Sequence, residues 1–346
     1  MKKFNLIVFL LSVFFTYSCQ KQDITSNTGA FPLYVEGYLE SGQFAVVHIS
    51  KTMDISTLWD DVNLEDSLTI VYKQNNLHAL LLKDNVIVDS LTGPYKSTVI
   101  DGPIKHWDNW LYLHGTSHII EQGGHYKVVI KRTLHPDIVA ECIIPYKVEI
   151  QNIDTVVDHN SWLMFGDFTN PYLPIVDSTK LHYIHPFTMN LNFTDPAGQV
   201  NYYLINVYGL RTRISTPDYP YYYMQFHLKD NSLFEGHSIL NMQGSSIPTE
   251  AFFNDKLISG QQQHIDVSDA YSNYDADSLI RVNLFSISEG YYKNLKSTYL
   301  FKKDLADQFS TPVQIYGNFT NAYGFLAGQS VTTVDIKIKQ YKSMKD

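Results

Sequence analysis

Hydrophobic and polar residues alternate with a period of two along most of the chain, the pattern of strands with one buried face. Leu33-Tyr34-Val35-Glu36-Gly37-Tyr38-Leu39 and Phe44-Ala45-Val46-Val47-His48-Ile49 are rich in β-branched and aromatic residues. Glu40-Ser41-Gly42-Gln43 lies between them, so the pair predicts a hairpin. Further strands are predicted at 68–72, 77–82, 86–88, 125–131 and 138–144, with Asn75-Asn76 and Asp84-Asn85 as turns. Strands about ten residues apart with polar turns indicate an antiparallel sandwich. Pro145-Tyr146-Lys147 reads as a linker, and a second set of strands follows at 187–193, 201–208, 221–228, 264–267 and 279–287. Asp195-Pro196-Ala197-Gly198 is a strong turn between the first two of these. Residues 155–182, 209–220 and 229–262 lack a regular pattern and read as long loops, which often carry function.

The period changes once. Tyr291, Leu295 and Tyr299 recur every four residues, Leu300, Phe301 and Leu305 widen their face, and Lys293, Lys296, Lys302 and Lys303 lie mostly elsewhere. This predicts an amphipathic helix over 289–306, capped by Ser288 and packed on the second sheet. Gly123-Gly124-His125-Tyr126-Lys127-Val128-Val129-Ile130 resembles the glycine-then-tyrosine start of a late strand in immunoglobulin-like domains, where the tyrosine hydroxyl ties the preceding corner. The expected fold is mainly all-β: an immunoglobulin-like β-sandwich over 30–147 and a larger β-rich domain with one helix over 148–346.

The first residues follow neither period. Met1-Lys2-Lys3 is a short positive region, and 4–15 is apolar apart from Asn5 and Ser12. That stretch is shorter than the ~20 residues of a transmembrane span and suits a signal peptide. Ser18-Cys19 directly after it resembles a bacterial lipobox, although Thr16 and Tyr17 depart from the usual Leu-Ala/Ser. The expectation is a lipoprotein signal peptide over 1–18, acyl chains such as palmitate on Cys19, and a polar tether over 19–29. An ordinary secretory signal with a coincidental cysteine is the alternative.

Composition narrows the function classes. Hydrophobic residues make up 44% and aromatics 14%, enough for a substantial core, while charged residues are only 18%. The net charge is −9, with no long basic run, which argues against nucleic-acid binding. Beyond Cys19 only Cys142 remains, so no intramolecular disulfide is expected, and Cys142 reads as a small buried hydrophobe in an apolar strand.

Candidate chemistry is sparse. Four histidines, His106, His114, His118 and His125, fall close together, but Gly115 and the apolar residues before it favour strand and loop over a metal-binding helix. His182 and His185 lack an acidic partner at a metal-like spacing. No nucleophile elbow, phosphate loop or dinucleotide fingerprint is present. Asp60-Asp61 and Glu65-Asp66 sit in a polar, solvated stretch. No catalytic residue, metal ligand or cofactor is therefore assigned. Two aromatic clusters are candidate binding surfaces: Trp107 and Trp110, in His106-Trp107-Asp108-Asn109-Trp110, and Tyr221, Tyr222 and Tyr223. Filling of a sheet core is the alternative for both.

Four segments acquire meaning as a series: Tyr34-Val35-Glu36-Gly37-Tyr38-Leu39; Phe193-Thr194-Asp195-Pro196 with Asn201-Tyr202-Tyr203; Leu284-Phe285-Ser286-Ile287-Ser288-Glu289-Gly290-Tyr291-Tyr292; and Pro312-Val313-Gln314-Ile315-Tyr316-Gly317-Asn318 with Tyr323-Gly324-Phe325-Leu326-Ala327-Gly328-Gln329-Ser330. Their order and spacing resemble a family of Bacteroidota lipoproteins catalogued as domain of unknown function 4249. The resemblance covers nearly the whole chain after the leader. It implies a lipid-anchored outer-membrane protein, and Asp23 beside Cys19 resembles the acidic export signals that place such lipoproteins on the cell surface. Such genes often lie beside those of TonB-dependent receptors, which implies an accessory, non-enzymatic binding role. A surface adhesin or glycan- or matrix-binding module is the first alternative, and a cell-envelope hydrolase the second. Gly317-Asn318 and Tyr323-Gly324-Phe325 are read as structural, the glycines for close backbone approach and the aromatics for packing.

Overall fold

The first alternating segment forms the expected hairpin. β1 (Leu33–Glu40) buries every second residue and pairs antiparallel with β2 (Phe44–Lys51), with Gly42 at φ +83° in the turn. This computed structural model describes residues 33–51, 77–95, 111–133, 135–157, 163–165, 182–184, 187–198, 200–212, 221–225, 227–228, 233–237, 250–256, 260, 262–268, 279–304 and 313–337. The strand expected at 68–72 lies outside them.

Five further strands complete the first half: β3 (His78–Lys83), β4 (Val86–Tyr95), β5 (Leu111–Ile119), β6 (His125–Lys131) and β7 (Ile138–Ile143). Asp84 and Asn85 both have positive φ, 50° and 66°, as a tight two-residue hairpin requires. β4 pairs with β3 along its first part and with β5 at Thr92 and Tyr95, so it passes from one layer to the other. Val35, Leu39, Val47, Ile49 and Leu113 meet Ala79, Leu81, Val128, Ile130, Ile138 and Ala140 in one core. The tyrosine corner is present. Tyr126 is fully buried, its hydroxyl accepts the Glu121 N–H at 3.0 Å, and it bonds His118 Nε2 at 2.9 Å. Cys142 is buried, and burial, helped by the charge of Glu141, pushes its thiol up to about 12.

Asp89 organises the middle of this sandwich. Its buried carboxylate accepts the N–H groups of Ser90, Thr116, Ser117 and His118 at 2.8–3.1 Å and the Ser117 hydroxyl at 2.8 Å. Gly115 permits this wrap, since a Cβ there would lie 2.8 Å from Asp89 Oδ2. Desolvation pushes the Asp89 carboxyl up, but the bonds from Ser117, His118 and Ser90 outweigh it and hold the group at about 2.

The second half contributes β8 (Ile150–Val157), β9 (Leu163–Phe165), β10 (His182–Ile184), β11 (Phe187–Thr194), β12 (Tyr202–Thr212), β13 (Tyr221–Gln225), β14 (His227–Leu228) and β15 (Gly236–His237). It ends with β16 (Glu250–Asn254), β17 (Gln262–Ser268), β18 (Leu279–Ile287), the helix α1 (Glu289–Asp304) and β19 (Tyr323–Lys337). One thirteen-stranded sheet runs β15-β16-β12-β18-β19-β1-β2-β5-β4-β3-β6-β7, with β13 beside β12. A four-stranded sheet, β14-β17-β11-β8, faces it across a second core of Met189, Leu191, Phe193 and Ile265 against Tyr203, Ile205, Val207, Phe253, Val282 and Leu284. The described residues of the first core run from Leu33 to Ile144, rejoined by Phe319 and Leu326, and those of the second begin at Val148.

Several strands lie where the sequence pattern suggested long loops. β9, β15, β16 and the ends of β8 and β12 occupy parts of 155–182, 209–220 and 229–262. In β16, Ala251, Phe252 and Phe253 are all buried because a core covers each face, so the period-two signal vanishes. β19 is disguised differently. Its buried positions include Ser330 and Thr332, whose hydroxyls donate to the carbonyls of Pro145 at 2.6 Å and Val148 at 2.7 Å. These bonds fasten the segment that crosses between the two cores.

The helix spans Glu289–Asp304, and residues 305–306 lie outside the described set. Ser288 precedes it, but its hydroxyl accepts the Gly328 N–H at 3.1 Å, which ties the helix start to β19. The expected Tyr291, Leu295 and Tyr299 pack against a core that also takes in the buried Tyr292, whereas Leu300, expected to widen that face, is exposed. Glu235 fastens the helix to β16: Tyr292, Lys296 and Asn254 all donate to its carboxylate. Among the described residues no helix is long and apolar enough to cross a membrane.

Asp89→Asn removes the charge that its four N–H donors were built around and should cost about 2–3 kcal/mol in chemical denaturation. The wild type's Asp89 contribution is complete above about pH 4, near the ordinary carboxyl value, and is lost as pH falls through about 2, so the variant's deficit should shrink in acid. Gly324 has φ +107°, and a Cβ there would lie 1.9 Å from Val35 O. Gly324→Ala should therefore fail to give soluble folded protein, or melt far below wild type, in a thermal scan.

Candidate functional site

The outward positions of β1 do not carry the usual solvated polar residues. Tyr34, Glu36 and Tyr38 alternate with the buried Leu33, Val35 and Leu39, and the parallel neighbour β19 sets Tyr323 and Phe325 beside them in register. These side chains form the floor of a cleft of about 690 Å³. Tyr291, Asn294, Leu295, Thr298, Tyr299 and Lys302 of α1 make one wall. The extended segment 314–317 makes the other, with Glu250 of β16 also on the lining.

That extended wall is held by side chains. Asn318 acts as a surrogate strand: its amide nitrogen donates to Leu326 O at 3.2 Å, and its amide oxygen accepts the Leu326 N–H at 2.7 Å. Asn294 donates to Tyr316 O at 2.8 Å, and the Tyr316 N–H reaches Ser297 Oγ at 2.8 Å. Gly317 allows the close approach, since a Cβ there would lie 2.5 Å from Gly324 O.

Aromatic rings line the interior. Tyr291 stacks on Phe325 with centroids 5.5 Å apart and planes 7° apart, and Tyr38 stands edge-on to both. Two carboxylates flank this group. Glu36 accepts the Tyr34 hydroxyl at 2.7 Å, and Glu250 accepts the Asn206 amide at 2.6 Å. Asn206 Oδ1 is itself buried with no hydrogen-bond partner. Burial, reinforced by neighbouring charge, lifts all three phenols above the ordinary tyrosine range: Glu36 acts on Tyr34, Glu36 and Glu250 on Tyr38, and Glu250 and Glu36 on Tyr291. They remain protonated donors at any physiological pH.

Cys19, Trp107 and Trp110 lie outside the described residues. Tyr221, Tyr222 and Tyr223 form β13, in register with Thr212, Arg211 and Leu210 of β12. His114 and His118 belong to the strand that bends around Asp89, and His118 serves the tyrosine corner. Among the described residues no group of three or more His, Cys, Asp or Glu side chains is placed to hold a metal. A carboxylate pair that the sequence did not flag is Asp195 with Asp255, both buried and both bonded to the Asn201 side chain. Asp195 also accepts Tyr203 Oη at 2.5 Å and the Gly260 N–H at 3.1 Å. Burial, then the charge of Asp195, raises the Asp255 carboxyl against the bonds from Asn201. This pair locks the 195–201 turn.

The cleft escaped sequence reading because its floor, walls and far carboxylate come from four separated segments. The available signal was the Tyr-Glu-Tyr face of β1, where solvated residues belong on a one-sided strand.

Comparison with known proteins places the chain by family alone. No curated protein matches it. Among solved structures, extracellular domains 3–5 of Drosophila OTK share 9% identity over 74% of this chain and 91% of that one, with a TM-score of 0.16. A structure of manganese lipoxygenase of Gaeumannomyces graminis with partial zonadhesin of Komagataella pastoris shares 7% identity over 74% and 90%, with a TM-score of 0.14. At these scores neither likeness carries an argument. The family described as domain of unknown function (DUF4249) matches residues 21–335, and the chain belongs to it.

Proposed function

We propose that this chain is a non-enzymatic binding protein of a Bacteroidota outer membrane, anchored by acyl chains on Cys19, displayed at the cell surface, and working as an accessory partner of a TonB-dependent transporter. The observation that carries the binding role is the cleft between α1 and the β1–β19 floor. Its volume, about 690 Å³, suits a small molecule or a few residues of a peptide. Its lining offers ring faces together with two carboxylates held in place by Tyr34 and Asn206. Fixed ring faces and oriented acceptors suit selective capture. The leader and Cys19 support the anchor, and family membership supports the setting.

One observation favours a surface adhesin as the second reading. At the Glu40 end of the first sandwich, Phe44, Val86, Ile87, Ile119, Ile143 and Tyr146 are exposed. Phe44 pairs with Ile119, and the Asp84 N–H bonds the carbonyl of His125, which pairs with Ile143, so the group gathers at one end. Apolar side chains clustered there suit contact with another protein.

Expression of the full chain with its own leader tests the proposal. Wild-type protein should enter the detergent phase on Triton X-114 partition and bring a β-barrel receptor with it from native membranes, whereas Cys19→Ala should stay in the aqueous phase. Wild-type protein in the aqueous phase would overturn the anchor. Binding to glycan or matrix arrays with no receptor recovered would favour the adhesin.

A further inference from the structure

We infer that the cleft binds an uncharged aromatic group that carries carbonyl oxygens, its ring among the lining aromatics and its oxygens accepting from the hydroxyls of Tyr38 and Tyr291. The inference rests on the reading of the cleft as a ligand site and assigns its ligand class.

Elsewhere the fold bonds the hydroxyls of its buried tyrosines from within. In the second core Tyr203 packs against Phe193 and Phe253, with centroids 5.5 and 5.2 Å away, and its hydroxyl donates to Asp195. In the cluster that seats α1 on the sheet, Tyr292 packs against Tyr202 and Phe252, at 4.6 and 6.0 Å, and donates to Glu235. In the first core the Tyr126 hydroxyl bonds Glu121 and His118. Tyr38 and Tyr291 form a comparable cluster with Phe325, but neither hydroxyl has a hydrogen-bond partner among the described residues. Neither is sealed in, because the buried side-chain atoms without a partner are Asn206 Oδ1 and Ser286 Oγ. Both tyrosines line the cleft, so their hydroxyls reach its open volume as donors that lack an acceptor.

The charged groups of the lining are already engaged. Glu36 accepts from Tyr34 and Glu250 from Asn206, and both glutamates and Lys302 hold other interactions besides. A charged ligand would give up its hydration here without a free counter-charge on the described lining, a cost that a neutral ligand avoids. Leu295, Ile315, Phe319 and Ala322 add apolar surface to the rings. Among neutral ligands the rings favour another ring, because edge-to-face and offset contacts add to what burial alone supplies. A volume of about 690 Å³ accommodates a ring system together with its polar substituents.

Calorimetric titration of the full chain, purified in detergent, tests this with four probes: Nα-acetyl-tryptophan amide, Nα-acetyl-leucine amide, Nα-acetyl-arginine amide and methyl glucoside. The tryptophan probe should bind about fivefold more tightly than the leucine probe and more tightly still than the other two. Tyr38→Phe combined with Tyr291→Phe keeps both rings and removes two hydroxyls that bond nothing in the described chain. The double variant should therefore melt with the wild type yet bind the tryptophan probe about tenfold more weakly. Thr298→Trp, which fills the cleft from α1, should abolish binding. Equal affinity for the tryptophan and leucine probes, a tryptophan affinity unmoved by the double variant, or no binding of the tryptophan probe would each overturn the inference. A double variant that melts well below wild type would show that the hydroxyls serve the fold, and would overturn it too. If the arginine probe or methyl glucoside binds instead and Thr298→Trp removes it, the cleft stands as a ligand site and the aromatic assignment alone fails. Tryptophan binding that survives Thr298→Trp would place the ligand elsewhere and overturn both.

Discussion

The parallel pairing of β1 with β19 is the contact on which the rest depends. β19 is the last described strand, yet it pairs with β18 through nine register positions and with β1 through seven, so it joins the two halves into one sheet. Parallel strands are stable where both faces are covered. Here the inner face meets the two cores, and the outer face meets α1 and the extended wall of the cleft. The pairing also imposes two glycines at close approach. A Cβ at Gly324 would strike Val35 O, and one at Gly37 would strike Leu326 Cδ1 at 2.4 Å. The cleft floor exists because these backbones meet in register, which sets Tyr34 beside Tyr323 and Glu36 beside Phe325.

With Cys142 the one free cysteine among the described residues, buried polar groups tie the fold together. Asp89 holds a bent strand, Asn318 substitutes for a missing strand, and Ser330 and Thr332 fasten the crossing segment. Two of the buried carboxylates shift in opposite directions, which shows what decides the sign. Asp89 is surrounded by N–H and O–H donors and falls to about 2, because several charge-assisted bonds outweigh desolvation. Asp255 has fewer donors and a second carboxylate nearby, so its value rises. Burial alone therefore does not predict how such groups respond to acid. The count of donors aimed at the oxygens does.

The sequence made local features legible and hid those made at a distance. The β1–β2 hairpin, the strands at 125–131 and 279–287, the tyrosine corner and the helix all follow from contiguous pattern or turn chemistry. β16 was hidden because both of its faces are buried, and β19 because its inner face carries hydroxyls that bond a remote backbone. The helix face was legible, since Tyr291, Leu295 and Tyr299 pack on the core, but what anchors it was not. Glu235, more than fifty residues upstream of Tyr292, accepts from both Tyr292 and Lys296. The cleft obeys the same rule. Local aromatic density pointed to Trp107, Trp110 and Tyr221–Tyr223, whereas the described aromatic cavity is assembled from single tyrosines on β1, α1 and the C-terminal segment.

The placement of the two exposed features bears on how the proposed ligand binding and partner contact are related. The cleft floor starts at the Leu33 end of β1, with Tyr34 and Tyr323, and the exposed apolar side chains gather at its Glu40 end. The floor runs along β1 from Tyr34 through Glu36 to Tyr38, two residues short of that end. The proposed ligand site and the proposed contact surface therefore adjoin on one strand whose neighbours on both sides are hydrogen-bonded. Such a strand transmits little deformation, because shifting it would break two ladders at once. A ligand and a partner bound as proposed would thus lie on one rigid strand, the ligand along its outer face and the partner at its Glu40 end.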